Sequence, residues 1–256
     1  MREPCTATFP NNNTKSKRAI KLFPFGLSMI EYNCLYGKLM FELPLFPLHT
    51  VLFPGAQLRL HIFEERYKRM INHCLENAAP FGVVLIRRGM EALGPLAEPY
   101  EVGCMAKILN HKPYPDGRLH LIAQGSERFT IRSLDKEALP YLIGQVEAYP
   151  LAIPDLPALE TAALGLYTWL ARYIKLLNEA GNTQFDLERL PREPVAMAYA
   201  AAAMTDVPAQ QKQELLSQES ALDLIAHLNQ LYKREVALLR AQLNETGNQS
   251  GSFSQN

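Results

Sequence analysis

From Phe41 to about Pro150 the apolar and polar side chains tend to alternate, and from Leu159 onward the apolar positions recur at helical spacing. Gln57-Leu-Arg-Leu-His-Ile62 alternates strictly and predicts a half-buried strand. Ahead of it, Glu42-Leu-Pro-Leu-Phe-Pro-Leu48 carries prolines at 44 and 47, which suit an edge strand or an extended lead-in better than a central strand. Leu52-Phe-Pro-Gly55 reads as a tight turn. Tyr67, Met70, Ile71, Cys74 and Leu75 form one stripe of a helix over 64–77, with Glu64 and Glu65 at the positive end of its dipole. Phe81-Gly-Val-Val-Leu-Ile86 predicts a buried strand. Val102, Cys104, Ala106 and Ile108 alternate on another, Pro113-Tyr-Pro-Asp-Gly117 signals a hairpin turn, and Leu119, Leu121 and Ala123 alternate on the return. Gly125 allows a bulge or bend before Phe129 and Ile131 resume the period, and 141–148 is a last strand.

Prolines 150, 154 and 157 mark a linker. Leu159, Ala163, Leu166, Leu170, Tyr173, Ile174 and Leu177 then trace a long helical face stopped by Gly181-Asn182. Pro194 opens an Ala-rich helix to Met204, Pro208 opens a short one through Leu216, and a last helix spans about 219–243. Four regions follow: a basic leader over 1–40, disordered or non-native; a β-rich unit over 41–150; a helical bundle over 151–245; and a flexible Gly/Ser/Asn/Gln tail over 246–256. A β-rich unit followed by helices is α+β by order of elements.

Charge sharpens this division. The 256 residues hold 26 basic and 26 acidic groups, yet residues 1–40 hold six basic against two acidic, which is +4, and leave 20 against 24, which is −4, for the rest. The predicted fold is therefore mildly acidic, which argues against a dedicated nucleic-acid binder. Met40 stands just before the first organised segment; one reading is that natural translation starts there, and folding is then expected to survive removal of residues 1–39. No stretch has the run of about 20 apolar residues that a membrane span needs. The cysteines at 5, 34, 74 and 104 form no CxxC pair; Cys74 and Cys104 read as buried small hydrophobes, and a cytoplasmic, reducing setting is expected.

Little chemistry is written into these residues. There is no Gly-x-x-x-x-Gly-Lys-Ser/Thr loop, no Gly-x-Ser-x-Gly elbow and no His-Glu-x-x-His helix, so no enzyme activity, cofactor or metal is expected. If the hairpin turns at Pro115-Asp116, His111 and His120 face each other; without a nearby third ligand they read as a solvated pair rather than a metal site. Arg66, Lys68 and Arg69, and the pair Arg87-Arg88, read as solvated faces offset by Glu64, Glu65 and Glu91. Phe46, Phe53, Phe63 and Tyr67 either line an apolar groove for a peptide or belong to the core.

The blocks Glu42-Leu-Pro-Leu-Phe-Pro-Leu-His-Thr-Val-Leu-Phe-Pro-Gly55 and Leu58-Arg-Leu-His-Ile-Phe-Glu-Glu-Arg-Tyr67 resemble the opening of the N-terminal, substrate-binding domain of Lon-type proteases. The resemblance continues through Val102-Gly-Cys-Met-Ala-Lys-Ile108, Gly125-Ser-Glu-Arg-Phe129, Pro140-Tyr-Leu-Ile-Gly-Gln-Val146 and the helical block Gln211-Lys-Gln-Glu-Leu-Leu216. It implies a PUA-like β-pseudobarrel with one packed helix, followed by a C-terminal helical bundle. It also implies a standalone Lon-domain protein of the short bacterial type, without the ATPase and protease modules.

The activity implied is non-enzymatic binding of unfolded or flagged polypeptide, or of a protein partner, in protein quality control or as an adaptor. Sheet edges accept an extended chain, and pockets beside them read alternate side chains. On this reading Phe46, Phe53, Phe63 and Tyr67 are the peptide-binding residues, while Gly55, Gly103, Gly125 and Arg128 shape or brace the barrel. The alternatives are RNA binding, which other PUA-like barrels perform, and a small-molecule-sensing domain.

Overall fold

A computed structural model of the chain describes residues 40–250 except 92–93 and 182–184, with the backbone alone for 245–250. The leader expected over 1–40 lies outside the described residues apart from Met40, as do residues 251–256 of the expected tail. The elements are β1 (Met40–Leu48), β2 (Gln57–Ile62), α1 (Glu65–Glu76), β3 (Phe81–Arg88), β4 (Glu98–Pro99), β5 (Val102–Pro113), β6 (Leu119–Asp135) and β7 (Leu142–Ala148). Then come α2 (Leu156–Glu179), a 3-10 turn (Leu187–Arg189), α3 (Pro194–Met204), α4 (Ala209–Leu216) and α5 (Ala221–Ser250). The backbone of α5 continues past Leu243, where the sequence pattern placed the end of the last helix, through residues first read as tail.

The strands run in the order β1-β7-β6-β5-β3, and β1 also pairs with β3, so the sheet closes on itself. Closure depends on a strand that is neither an edge nor central in the usual sense. Residues 40–45 of β1 pair antiparallel with β7, and residues 45–48 pair parallel with β3. Pro44 therefore has a strand partner only in β7, and Pro47 only in β3. A proline has no N–H for a second ladder, and each half of β1 needs only one. The edge-strand expectation is corrected in that sense: the prolines mark a strand that changes partners and seals a barrel.

Inside, Phe41, Leu43, Leu45, Val84, Phe129 and Val146 form one cluster. A second joins the barrel to α1, whose Tyr67, Met70, Ile71 and Cys74 pack against Phe46, Ile62, Phe81 and Leu121. A third fills the bundle of α2, α3, α4 and α5. There α2 starts at Asp155, whose side chain accepts from the Ala158 N–H at 2.9 Å, and Pro157 sits in the first turn. The Tyr232 hydroxyl donates to the Ala201 carbonyl at 2.8 Å and ties α5 to α3.

Contacts of two kinds attach the bundle to the barrel among the described residues. The turn after β1 sends Phe53, 1% exposed, into the helical cluster. Beneath that turn lies Gly125 of β6: its N–H donates to the Ala56 carbonyl at 2.9 Å and its carbonyl accepts from the Gly55 N–H at 2.8 Å. Gly55 itself has φ +81°, a conformation natural to glycine. The β6 bulge expected after Gly125 is present, as the register against β5 shifts between Cys104 and Ala106. The second kind is polar. Arg128, 2% exposed, donates through Nη1 to the carbonyls of Leu216 and, at 2.7 Å, of Gln218, at the end of α4. Its guanidinium lies over the rings of Tyr149 at 4.8 Å and Tyr199 at 6.0 Å. Burial lowers the Arg128 pKa and pushes the Tyr199 phenol up to about 12. Gln213 of α4 adds an Nε2 donation to the Val102 carbonyl at 2.9 Å.

Cys74 and Cys104 are free and buried, as expected. Burial pushes the Cys74 thiol up from 9.0 to about 12 and raises Cys104 as well. Both thiols therefore favour the folded state below pH 9, and that contribution falls as pH rises from 9 towards 12, because the unfolded chain then ionises first. Mass-spectrometric alkylation at pH 8 is expected to leave both residues unmodified in the native protein and to label both in denaturant.

Candidate functional site

β2 is built by the alternation read in its sequence. Leu58, Leu60 and Ile62 turn inward, and Gln57, Arg59 and His61 turn out. It pairs with β6 along its whole length, Gln57 opposite Gln124 through Ile62 opposite Leu119. Among the described residues no strand pairs with its other side. That side leaves backbone N–H and C=O groups available to an extended chain. Leu58 and Leu60 are only partly buried, so the apolar wall beside the free edge is open as well. Just beyond the strand, Phe63 is 46% exposed. An extended polypeptide laid on this edge gains main-chain hydrogen bonds, an apolar contact for alternate side chains and an aromatic face at the end of the run.

The four rings expected at a peptide groove are not brought onto one surface. Phe46 and Tyr67 are both 5% exposed and pack on each other under α1, with ring centroids 4.2 Å apart. Burial raises the Tyr67 pKa. Phe53 lies in the bundle cluster, and Phe63 alone of the four faces solvent. Phe46 on β1 and Tyr67 on α1 close the layer between barrel and helix, Phe53 in the turn fills the bundle, and Phe63, one residue past β2, is left open.

The histidine pairing differs from the expectation too. Across the β5–β6 hairpin, His120 stands opposite Lys112 and His111 opposite Leu121, because the β5 ladder shifts register between Ile108 and Asn110. The neighbour of His120 is His61 on β2, with ring centroids 4.7 Å apart. No local spacing announces this pair, since β2 and β6 are far apart in sequence. Among the described residues no group of three or more His, Cys, Asp or Glu side chains is placed to hold a metal.

The charged clusters are mostly paired. Arg66 meets Glu64 at 2.8 Å and Lys68 meets Glu65 at 2.8 Å. Arg87 binds Glu98 on the short strand β4, not Glu91. Glu91 accepts instead from the His49 N–H at 2.7 Å. A second exposed apolar surface lies on the bundle, where Leu164 and Tyr167 of α2 border a shallow groove with Leu187, Leu190 and Met197. Among the described residues no helix is long and apolar enough to cross a membrane.

Comparison with known proteins agrees with this architecture. The Lon protease of Anaeromyxobacter dehalogenans is 30% identical over 176 residues, covering 68% of this chain and 21% of that protein. Lon protease 2 of Myxococcus xanthus is 32% identical over 180 residues, with the same shares. The chain thus spans about a fifth of the length of these relatives. Among solved structures, the N-terminal domain of Mycobacterium avium complex Lon protease superposes with a TM-score of 0.57 at 17% identity, covering 75% of this chain and 98% of that one. The Lon N-terminal domain protein from Xanthomonas campestris gives 0.50 at 23%, covering 73% and 96%. These likenesses establish the fold, an α+β architecture in which a β-rich unit, closed on itself here, is followed by helices. The pattern of the ATP-dependent protease La (LON) substrate-binding domain matches residues 42–234, and the chain belongs to that family.

Proposed function

We propose that this chain is a non-enzymatic recognition module, which binds unfolded or flagged polypeptide as an extended segment along the free edge of β2. The β unit over 41–150 does the recognising, and the bundle over 151–245 holds it rigid. The observation that carries this reading is the open edge of β2, with Leu58 and Leu60 half-covered beside it and Phe63 exposed at its end. Phe46 and Tyr67 act from behind, as the packed layer that sets the position of α1 and the strand end. Phe53 acts through the turn that joins barrel to bundle. Such a module serves protein quality control in the cytoplasm, as an adaptor or as a holder of partly folded chains, and its buried reduced thiols suit that compartment.

The test is a titration of the full chain with a fluorescein-labelled globular protein kept unfolded by reduction and carboxymethylation. Saturable binding at about micromolar concentration is expected, with no cleavage of the probe and no dependence on ATP. Phe63→Ala is expected to weaken it about tenfold. Leu164→Ser, on the bundle groove, is expected to leave it unchanged. Absence of saturable binding, or equal loss from both variants, contradicts the reading.

A further inference from the structure

The outer face of the sheet beside that edge carries a different chemistry. Residues directly opposite in a sheet share a face, and the registers of β2, β6 and β5 stack three rows there. These are Gln57–Gln124–Lys107, Arg59–Ile122–Asn110 and His61–His120–Lys112. None of the nine is a carboxylate, and three are permanent cations. Arg59, Lys107 and Lys112 are exposed and take part in no ion pair among the described residues. The acidic groups at the borders are already engaged: Glu64 by Arg66, Glu65 by Lys68, and Asp116 by Arg118 at 2.6 Å.

Across the end of this face runs a continuous row of four rings. Phe63 stacks on His61 at 6.1 Å, His61 meets His120 at 4.7 Å, and His120 meets Tyr114 at 4.9 Å. The Tyr114 hydroxyl lies 3.3 Å from His120 Nδ1, and Lys112 Nζ stands 5.7 Å from the Tyr114 ring centroid. Phe63, His61 and His120 are exposed and Tyr114 is partly so. Rings left open to water beside unpaired cations suit a ligand with flat apolar faces and a repeating negative charge.

We propose that this face binds single-stranded nucleic acid, with bases stacking on the His61–His120–Tyr114 row and phosphates meeting Arg59, Lys107 and Lys112. The same combination of cationic track and aromatic platform serves sequence-tolerant single-strand binding elsewhere. An acidic peptide matches the cations but leaves the rings unused. The −4 balance of residues 41–256 is no obstacle, because none of that negative charge falls on these three rows. The site adjoins the β2 edge, since Phe63 stacks on His61, but its cations and the His61–His120–Tyr114 rings are not the groups proposed to hold polypeptide, and it does not depend on polypeptide binding there.

Fluorescence anisotropy of a labelled oligouridylate of about twelve nucleotides, titrated with the full chain, tests this. Binding is expected in the range of about 1–100 μM at about 50 mM salt, weakening about twentyfold by about 200 mM if three phosphates are neutralised. The double variant His120→Ala/Tyr114→Ala is expected to lose about tenfold or more at unchanged thermal midpoint. Arg59→Ala/Lys112→Ala is expected to flatten the salt dependence by more than half. Three results overturn the proposal: no saturable signal up to about 100 μM at low salt, affinity untouched by both double variants, or an oligoglutamate of equal charge binding as tightly and equally well to the ring variant.

Discussion

Replacing Arg128 with methionine is expected to remove about 3 kcal/mol of stability, although methionine fills much of the same space. The loss arises at the other end of the contact. The carbonyls of Leu216 and Gln218 terminate α4 and receive their donor from Arg128 Nη1 across the barrel–bundle boundary. Without it, two acceptors at a helix end stay buried, and the faces of Tyr149 and Tyr199 lose their cation. Lysine keeps the charge but not the flat guanidinium that lies over the Tyr149 and Tyr199 rings while its Nη1 serves both carbonyls, so Arg128→Lys is expected to recover less than half of the loss. Urea denaturation followed separately by near-ultraviolet signal and by proteolysis of the helices checks this. The helical part is expected to become cleavable before the barrel unfolds. A variant with an unchanged midpoint shows that the contact does not hold the two parts together.

Gly125→Ala is expected to be at least as damaging, for a different reason. A Cβ at this position stands 2.3 Å from the Phe53 carbonyl oxygen and 3.0 Å from Cys104 Sγ. The carbonyl cannot retreat freely, because the turn carrying it is bonded to Gly125 through both its N–H and its C=O. Either those two bonds open or Phe53 leaves the bundle core, and the cost is about 3 kcal/mol or more. Gly117→Ala is the control. Gly117 has φ +80° but open space around it, the nearest atom being Lys68 Nζ at 3.5 Å, so about 1 kcal/mol is expected. Thermal unfolding of the two variants side by side separates the mechanisms; equal shifts contradict the packing argument.

Much of this fold was legible in the chain because its signals are local. The stripe of α1, the alternation of β2, the Pro113–Gly117 turn and the proline starts of α3 and α4 all depend on residues within a few positions of one another. The pairings of β1, by contrast, join residues far apart, so its prolines pointed to an edge when the strand in fact changes partners midway. The same distance hid the His61–His120 pair and the partnership of Arg87 with Glu98 on a strand of two residues. The candidate aromatics split for a related reason. Hydrophobic pattern marks which side of a strand is apolar, but not whether the barrel closes over that side. Phe46, Phe53 and Tyr67 are closed over, and Phe63, one residue past the end of β2, is not.

Hydrogen exchange measured on the full chain, with and without saturating unfolded polypeptide, reads the proposed contact at the residues that would make it. The backbone amides of 57–62 that β6 does not already hold are expected to slow markedly when the polypeptide is bound, with the bundle surface around Leu164 and Tyr167 unchanged. Protection confined to α2 and the 187–197 segment, with β2 exchanging as in the free protein, would contradict recognition along this edge.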